Sequence, residues 1–329
     1  MQARVACLSP YDEGTVRGMF SNRHRVEVVL VPAPPAQPEV AAACSGADLV
    51  IADRRHKHQV DREVLKQMRR CLLIQQAAVG FDSIDHRAAA EYGIPVANAA
   101  GYNKESVADW TVMAMIALVR RSFWLDRQLR SGHWHAEDPL RGLETMGHEL
   151  GAMTVGIIGM GNIGSAVASR LAAFGSRIVF ADAVPRTFPD AFQVDLETLL
   201  RESDIVCVHA PLDIDTRGLL GKQALGRMKR GSFLINAARG SIVSEAALVD
   251  ALRSGQLAGA ALDVFEVEPL PADSPLRSLD NVVLAPHRAG ATVEADARLI
   301  EVVGANLMRV LDGKPPLHVV NGVAAARVR

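Results

Sequence analysis

Three polar side chains that could act together in proton transfer each follow an apolar, strand-like run. Arg239, Glu268 and His287 stand in the segments N-A-A-R-G, D-V-F-E-V-E-P-L and A-P-H-R-A-G. A histidine beside a carboxylate can donate a proton to a carbonyl oxygen and accept one in reverse. A planar guanidinium can bind a carboxylate or ketone oxygen and stabilise developing alkoxide charge. Taken singly, Arg239 could be a solvated surface arginine, Glu268 could only end a turn, and His287 could only shape a loop. Together at three successive strand ends they predict an acid–base site.

A glycine-rich turn lies near the middle of the chain, in T-V-G-I-I-G-M-G-N-I-G-S-A-V-A. Gly159 permits a tight strand-to-helix turn, Gly161 lets a pyrophosphate approach the backbone, and Gly164 lets the helix pack on the strand. Asp182 ends the next strand-like run, 18 residues after Gly164, where a carboxylate can accept ribose hydroxyl protons. A plain βαβ turn without a nucleotide is the alternative. The spacing of Asp182 favours a dinucleotide site.

Composition limits the class of protein. A length of 329 residues favours two domains, and 49% hydrophobic with 22% charged residues is typical of a globular protein. Lysine and arginine total 36 against 37 acidic residues, which leaves no basic footprint for nucleic acid or an anionic membrane. The N-terminus lacks a signal-peptide core, and the longest apolar stretch, 107–119, is too short to span a bilayer. We expect a cytoplasmic protein without nucleic-acid or membrane partners.

The cysteines and paired histidines indicate neither disulfides nor a metal site. The four cysteines are scattered without a C-x-x-C pair, and we expect buried free thiols: Cys7, Cys44, Cys71 and Cys207. His56-x-His58 and His133-x-His135 resemble ligand pairs, but no further spacing of metal-ligating residues completes a site. We therefore expect no metal.

Short strands alternating with helical patterns predict a parallel α/β architecture. The first third contains strands near 4–9, 26–31, 48–52, 71–76 and 95–98, followed by one long helix over roughly 105–130. Six further strands are predicted near 154–159, 177–181, 204–209, 232–236, 259–263 and 281–285, before a last helix over 291–311. We expect two doubly wound parallel-sheet (Rossmann-like) domains. The substrate domain comprises 1–99 plus 290–329, and the nucleotide domain, 100–289, is inserted within it.

Motifs in a fixed order along nearly the whole chain resemble one known family. They are V-G-F-D-S-I-D, A-A-A-E-Y-G-I-P-V-A-N, N-K-E-S-V-A-D-W, the glycine turn, H-A-P-L-D-I-D-T-R-G-L-L, L-I-N-A-A-R-G-S-I-V, A-L-D-V-F-E-V-E-P-L and L-A-P-H-R-A-G-A-T. The chain is similar to D-isomer-specific 2-hydroxyacid dehydrogenases, a group that includes glyoxylate/hydroxypyruvate reductases and D-lactate and 3-phosphoglycerate dehydrogenases. The resemblance implies NAD-dependent interconversion of 2-keto and 2-hydroxy acids.

The same resemblance implies roles for individual residues. Arg239, Glu268 and His287 would be catalytic, and the backbone N–H groups of Val79 and Gly80 would hold the substrate carboxylate. Residues implied at the cofactor are Gly159, Gly161, Asn162, Ile163, Gly164, Asp182, Ala210, Ala237, Asp263, His287 and Gly290.

The choice of cofactor depends on Asp182 and Arg186. Arg186 could mark a site for the 2′-phosphate of NADP, but Asp182 would repel that phosphate. NAD is therefore expected over NADP.

Four positions bear on the substrate or depart from the family pattern. Arg288 stands where an apolar residue is usual, and either binds a second anionic group on the substrate or points to solvent. Arg141 is a candidate for a distal carboxylate. Ser83 replaces a usual Asn, as a change in local capping, and Met153 replaces a usual Lys.

Alternative functions and a partner follow from the same patterns. An NAD-sensing scaffold similar to the C-terminal-binding corepressors is one alternative, and a phosphonate- or formate-type dehydrogenase is another. Glu268, where a glutamine would suit a formate enzyme, disfavours the formate type. The helix of 106–121 is apolar on more than one face, which predicts a homodimer.

Overall fold

The structure, a computed structural model, describes residues 2–20, 24–31, 36–134 and 146–324. The chain divides into two compact units, one formed by 1–103 with 292–329 and the other by 104–291. The predicted boundaries, after 99 and after 289, stand a few residues before these. The second unit is an insertion in the sequence of the first.

The first unit is built on a five-stranded parallel sheet in the order β2-β1-β3-β4-β5. Its strands are β1 (Gln2–Cys7), β2 (Arg25–Leu30), β3 (Leu49–Ala52), β4 (Leu73–Gln76) and β5 (Val96–Ala97). Its helices are α1 (Glu13–Gly18), α2 (Gln37–Ser45), α3 (Arg62–Gln67), α4 (His86–Glu91) and the last helix, α11 (Val293–Leu311).

Helix α11 belongs to this unit because its apolar stripe completes the core. The Thr292 side chain accepts the Ala295 N–H and begins the helix. Leu299, Val303 and Leu307, four residues apart, are fully buried in the same hydrophobic cluster as strand residues of β1, β3 and β4. The chain thus returns to the first unit after the insertion.

The second unit contains a seven-stranded parallel sheet in the order β12-β11-β10-β9-β6-β7-β8. Its strands are β6 (Thr154–Ile158), β7 (Arg177–Ala181), β8 (Ala191–Gln193), β9 (Ile205–Val208), β10 (Ser232–Asn236), β11 (Leu257–Leu262) and β12 (Val282–Leu284). Its helices are α5 (Lys104–Val119), α6 (Ser122–Arg130), α7 (Asn162–Ala172), α8 (Leu196–Glu202), α9 (Lys222–Arg227) and α10 (Glu245–Arg253). The strand order reverses between β6 and β9, where open α/β sheets bind ligands.

The structure confirms the predicted fold class and corrects two elements. Strand β8 was not predicted, because it is short and lies at the sheet edge with two of its three residues exposed. The predicted long helix of 105–130 is two helices, since Arg121 adopts a left-handed φ of 53° between α5 and α6. Helix α5 accordingly ends at Val119.

Three further observations concern the cysteines, possible metal sites and possible membrane-spanning helices. All four cysteines are free and buried, as predicted. Within the described ranges, no group of three metal-ligating side chains comes together. Among those same residues, no helix has both the length and the apolar character needed to cross a bilayer.

Candidate active site

His287 and Glu268 form a hydrogen-bonded pair beyond the carboxyl ends of β12 and β11. The Nδ1 atom of His287 lies 2.8 Å from Oε2 of Glu268. Both side chains are partly exposed, with 47% and 37% of their surface accessible. A carboxylate at Nδ1 holds a proton there and leaves Nε2 as the atom that exchanges a proton with a ligand.

Glu268 is ionised at neutral pH. Burial raises its pKa, but the hydrogen bond and charge of His287, the Phe265 N–H and the charge of Arg239 together hold the pKa below its usual value. The Phe265 N–H donates to Oε1 at 3.1 Å, so both carboxylate oxygens have a donor. The negative charge available to His287 is therefore fixed in place.

Asp263, at the end of β11, holds the turn that carries His287. Its backbone oxygen accepts the His287 N–H at 2.7 Å, while its carboxylate accepts the N–H groups of Arg288 and Ala289 at 2.7 and 2.8 Å. Only 1% of Asp263 is exposed, and this burial raises its pKa despite the two N–H donors. The resemblance implied a contact with the cofactor, and sequence reasoning missed this second role in shaping the turn.

Arg239 follows β10 in a turn fixed by Asn236. The Asn236 amide donates to the backbone oxygen of Arg239 at 2.9 Å and accepts the Ala238 N–H at 3.1 Å. The Arg239 guanidinium donates to the oxygen of Ala238 and lies close enough to Glu268 to lower its pKa. Arg239 therefore belongs to the same charged cluster as His287.

Gly240 brings the Arg239 turn against the segment that carries Glu268. A Cβ atom on Gly240 would lie 1.9 Å from the carbonyl carbon of Phe265 and 2.4 Å from the nitrogen of Glu266. No side chain fits in that space. The two backbones are in direct contact, and glycine is required at this position.

The glycine turn after β6 has the geometry that a dinucleotide needs. Gly159 has a φ of 93°, and a Cβ there would lie 2.7 Å from the nitrogen of Ala210. A Cβ on Gly164 would lie 2.1 Å from the oxygen of Gly159, whereas one on Gly161 would meet nothing within 4 Å. Gly161 is also the N-cap of α7 and offers no side chain to its free N–H groups. The opening at Gly161 leaves these donors accessible to a phosphate.

A cavity of about 530 Å³ opens at this turn. Residues that line it include Lys104, Met160, Gly161, Asn162, Ser165 and Arg186. The combination of open glycine, free helix N-terminus and flanking cations fits the pyrophosphate and ribose end of a nicotinamide dinucleotide.

The Asp182 carboxylate accepts three hydrogen bonds from the protein itself. One oxygen accepts the Met160 N–H and the Arg186 Nε–H, each at 2.8 Å, and the other accepts the Val184 N–H at 3.1 Å. Burial raises the pKa of Asp182, but these N–H groups and Arg186 outweigh it and lower the pKa. The ionised carboxylate therefore ties the glycine turn to the end of β7.

His209, which sequence reasoning did not select, precedes Ala210 at the end of β9. Both ring nitrogens are buried and have no hydrogen-bond partner in the described part of the chain. Burial lowers the pKa of His209 to about 4, so the ring is neutral at physiological pH. The motif H-A-P contains this histidine, but the burial of its ring nitrogens away from hydrogen-bond partners depends on packing that the motif does not encode. Ala237, another implied cofactor residue, lies just beyond the end of β10.

The predicted carboxylate-binding residues lie in the first unit, beyond the end of β4. The Asn98 amide donates to the oxygen of Val79 at 2.7 Å, and the Ala99 N–H donates to that of Ala78 at 3.0 Å. The N–H groups of Val79 and Gly80 donate to no acceptor among the described residues. The carbonyls of Ala78 and Val79 are therefore held, while the N–H groups of Val79 and Gly80 stay available.

Two of the paired histidines have ordinary partners, and two other singled-out residues lie outside the described part of the chain. Nδ1 of His58 donates to the Asp53 carboxylate at 2.8 Å, and His56 contacts the buried Ser83 hydroxyl at 3.1 Å. Arg141 and His135 fall in the range 135–145, which the structure does not describe.

Comparison with known proteins identifies relatives along most of the chain. The family model described as "D-isomer specific 2-hydroxyacid dehydrogenase, NAD binding domain" matches residues 112–289. A glyoxylate reductase from Thermofilum pendens is 40% identical over 293 residues, which cover 88% of this chain and 85% of that protein.

Two solved structures resemble the whole chain. The holo form of D-mandelate dehydrogenase from Rhodotorula graminis has a TM-score of 0.87 at 25% identity, covering 99% of both chains. An NAD-dependent formate dehydrogenase from Staphylococcus aureus in complex with NAD has a TM-score of 0.79 at 32% identity, covering 96% of this chain and 97% of that one. The family match and the identity to these relatives confirm the resemblance seen in the motifs. The chain belongs to the D-isomer specific 2-hydroxyacid dehydrogenase family of oxidoreductases.

Proposed function

We propose that this chain reduces a small 2-keto acid to the D-2-hydroxy acid with NADH, and catalyses the reverse oxidation. The observation that carries the proposal is the 2.8 Å contact between His287 and Glu268, with the charge of Arg239 beside it. An acid–base group paired with a carboxylate and next to a guanidinium matches the needs of carbonyl reduction.

Each side chain has a distinct part in this chemistry. When bound, the nicotinamide supplies or accepts a hydride at C2 of the substrate. Nε2 of His287 donates a proton to the carbonyl oxygen, and Glu268 stabilises the imidazolium through Nδ1. Arg239 orients the substrate and stabilises the charge that develops on the oxygen. In oxidation, the neutral Nε2 accepts the hydroxyl proton.

The substrate carboxylate is assigned to Val79 and Gly80. Their available N–H groups can bind a carboxylate oxygen without a counter-charge. Replacing either residue leaves the N–H in place, so the sharper test is Asn98→Ala, which frees the Val79 carbonyl. A rise in KM for the keto acid with unchanged NADH affinity is expected, because only the carboxylate contact is loosened.

NAD is proposed as the cofactor rather than NADP. Asp182 is ionised, and Arg186, the nearest cation, already donates to it at 2.8 Å. A 2′-phosphate at this position would meet a carboxylate and would have to break that ion pair. A ribose with free hydroxyl groups carries no such cost.

The experiment that tests the function is NADH oxidation with a panel of 2-keto acids. Glyoxylate, hydroxypyruvate, pyruvate and longer 2-keto acids form the panel, and formate with NAD is assayed separately. We expect turnover of at least one keto acid and loss of most turnover in His287→Gln with retained NADH binding.

Other outcomes would favour the alternatives. Oxidation of formate without keto-acid reduction would indicate a formate-type enzyme. Silence across the panel together with tight NADH binding would indicate an NAD-sensing scaffold and would overturn the proposal.

A further inference from the structure

Glu245 and Glu266 form a reciprocal pair of hydrogen bonds that is separate from the catalytic contact. The Glu245 N–H donates to Oε1 of Glu266 at 2.9 Å, and the Glu266 N–H donates to Oε1 of Glu245 at 2.5 Å. We call this arrangement the glutamate bracket. It joins the first residue of α10 to the segment that follows β11.

The bracket cannot be explained as an attraction between the two side chains. Burial and the negative charges of Glu266 and Glu268 raise the pKa of Glu245, against the lowering effect of the Glu266 N–H. The stabilising element is the backbone: the N–H of Glu245 lies in the first turn of α10, where it has no acceptor within the helix and where a negative charge is favourable. Each glutamate thus supplies an acceptor for the other's N–H.

The segment held by the bracket ends at Glu268. Glu266 stands two residues before Glu268, and the Phe265 N–H donates to the Glu268 carboxylate at 3.1 Å. On its other side, the Phe265 and Glu266 backbones lie against Gly240. The Glu245 side chain, at the start of α10, therefore fixes the backbone of Glu266, which lies next to the Glu268 carboxylate.

We propose that Glu245 and Glu266 are positioning residues that hold Glu268 in hydrogen-bonding register with Nδ1 of His287. This inference rests on the proposed function for its kinetic consequences, but the register itself is a structural property. Without the bracket, the segment 265–268 samples other conformations, and the imidazolium loses part of its stabilisation.

A purely electrostatic effect of Glu245 makes a different prediction. The charged groups that act on Glu268 or are acted on by it are His287, Arg239, Asp263 and Glu245. If the charge of Glu245 mattered through space, Glu245→Gln and Glu245→Ala would act alike. If position matters, Glu245→Gln keeps an oxygen that accepts the Glu266 N–H, and only Glu245→Ala breaks the bracket.

The test compares these two variants with the wild-type chain, with Glu197→Ala as a matched control. Glu197 is also an acidic residue in the first turn of a helix of this unit, but it is 3.9 Å from Arg227 and outside the active site. Three quantities are measured: kcat/KM for keto-acid reduction against pH, the dissociation constant of NADH, and the proton NMR signal of the hydrogen-bonded imidazole N–H. His287→Gln assigns that signal by its absence.

We expect Glu245→Ala to lower kcat/KM roughly tenfold at mildly alkaline pH and to move the alkaline limb of the profile to lower pH. It should also weaken or broaden the downfield imidazole signal, with NADH affinity unchanged. Glu245→Gln and Glu197→Ala should behave as the wild type does. Glu266→Ala and Glu266→Gln repeat the comparison from the other side of the bracket, should Glu245→Ala fail to fold.

Equal effects of the alanine and glutamine variants would overturn the proposal in favour of through-space charge. A wild-type profile and signal in both alanine variants would overturn it outright. If the wild-type chain reduces no keto acid, the proposed function fails, while the imidazole signal still decides whether the bracket sets the contact between Glu268 and His287.

Discussion

Asp263 and His287 are joined through the backbone, because the oxygen of Asp263 accepts the His287 N–H at 2.7 Å. The Asp263 carboxylate then accepts the next two N–H groups along the turn. His287 itself has a left-handed φ of 55°, a conformation that non-glycine residues adopt only when the surroundings impose it. The orientation of the proposed catalytic imidazole thus depends on a carboxylate that does not touch it.

Asp263→Asn tests this dependence. The substitution replaces one acceptor oxygen with an NH₂ group that faces a backbone N–H, so we expect a loss of about 1–3 kcal/mol in the free energy of unfolding. Because the turn loosens, kcat should fall roughly tenfold or more. Urea unfolding and steady-state kinetics measure the two effects. Unchanged kcat in a folded variant would contradict the role of Asp263 in holding the turn.

Glu268→Gln tests the charge on the proposed catalytic pair. Glutamine can still accept the Nδ1–H of His287, but it removes the charge that stabilises the imidazolium. We expect the alkaline limb of kcat/KM for reduction to move to lower pH, with NADH affinity retained. A profile that overlays the wild type would show that the hydrogen bond alone is sufficient.

The behaviour of the chain at acid pH, in activity and in stability, should also depend on Glu268. Its pKa is held below the ordinary value of 4.5, so the carboxylate is ionised throughout the neutral range. Its contribution to activity and to stability is therefore present above pH 4.5 and is lost as the pH falls through the lowered pKa. We expect the acid-side loss of unfolding free energy to be shallower in Glu268→Gln, as measured by urea titrations at several pH values below 5.

Asp53 and His58 form a buried pair in the first unit, with both side chains inaccessible to solvent. Burial raises the pKa of Asp53, but His58 and the N–H groups of Arg55 and Lys57 outweigh it and lower the pKa below 3.8. The stabilising effect is present above pH 3.8 and is lost as the pH falls through the lowered value. Asp53→Ala should cost about 3 kcal/mol near neutral pH, since it leaves the buried His58 ring and two part-buried N–H groups without their acceptor.

The chemical denaturation midpoint measures this loss, with Asp61→Ala, the N-cap of α3, as a control. The control removes the capping bond and an exposed hydrogen bond from the Gln37 amide, and should cost about 1 kcal/mol. Equal losses in the two variants would show that the buried pair contributes no more than an ordinary helix cap.

We propose that the ion pair between Asp182 and Arg186 sets the preference between NAD and NADP. We expect the wild-type chain to bind NADH at least roughly tenfold more tightly than NADPH, because the 2′-phosphate meets a carboxylate. Asp182→Asn should reduce the preference, chiefly by weakening NADH, since the Met160 N–H and the ribose both lose a charged acceptor. Fluorescence titration of each nucleotide measures both. Tighter binding of NADPH to the wild type would contradict the assignment.

The predicted homodimer gains a candidate surface on α6. This helix has no buried residue, and 46% of the surface of Phe123 and 57% of that of Leu129 are exposed. Apolar side chains on an otherwise charged helix are typical of association surfaces. Light scattering should give twice the 35.3 kDa chain mass, and Leu129→Asp should shift it toward one chain. A wild-type monomer at micromolar concentration would exclude the dimer.

The strand ends were predicted well because an apolar run bounded by glycine and polar residues can be recognised from the local sequence alone. The sequence also predicted that Arg239, Glu268 and His287 stand at one edge of a parallel sheet. It could not predict that Asp263 holds the His287 turn, since that contact joins residues more than twenty positions apart. The break at Arg121 was equally hidden, because an arginine with a positive φ carries no sequence signal. Strand β8 lacks the burial from which the other strands were recognised.

The contact at Gly240 limits how this enzyme can vary. Since no atom can be added between the turn of Arg239 and the segment of Glu268, the spacing of these two groups cannot be tuned by substitution at that point. We therefore expect changes that adapt the chain to larger or smaller substrates to arise elsewhere, in loops that would touch the substrate's side chain. On this proposal the spacing of the reacting groups is constant, and we expect the range of substrates to be set by the residues around them.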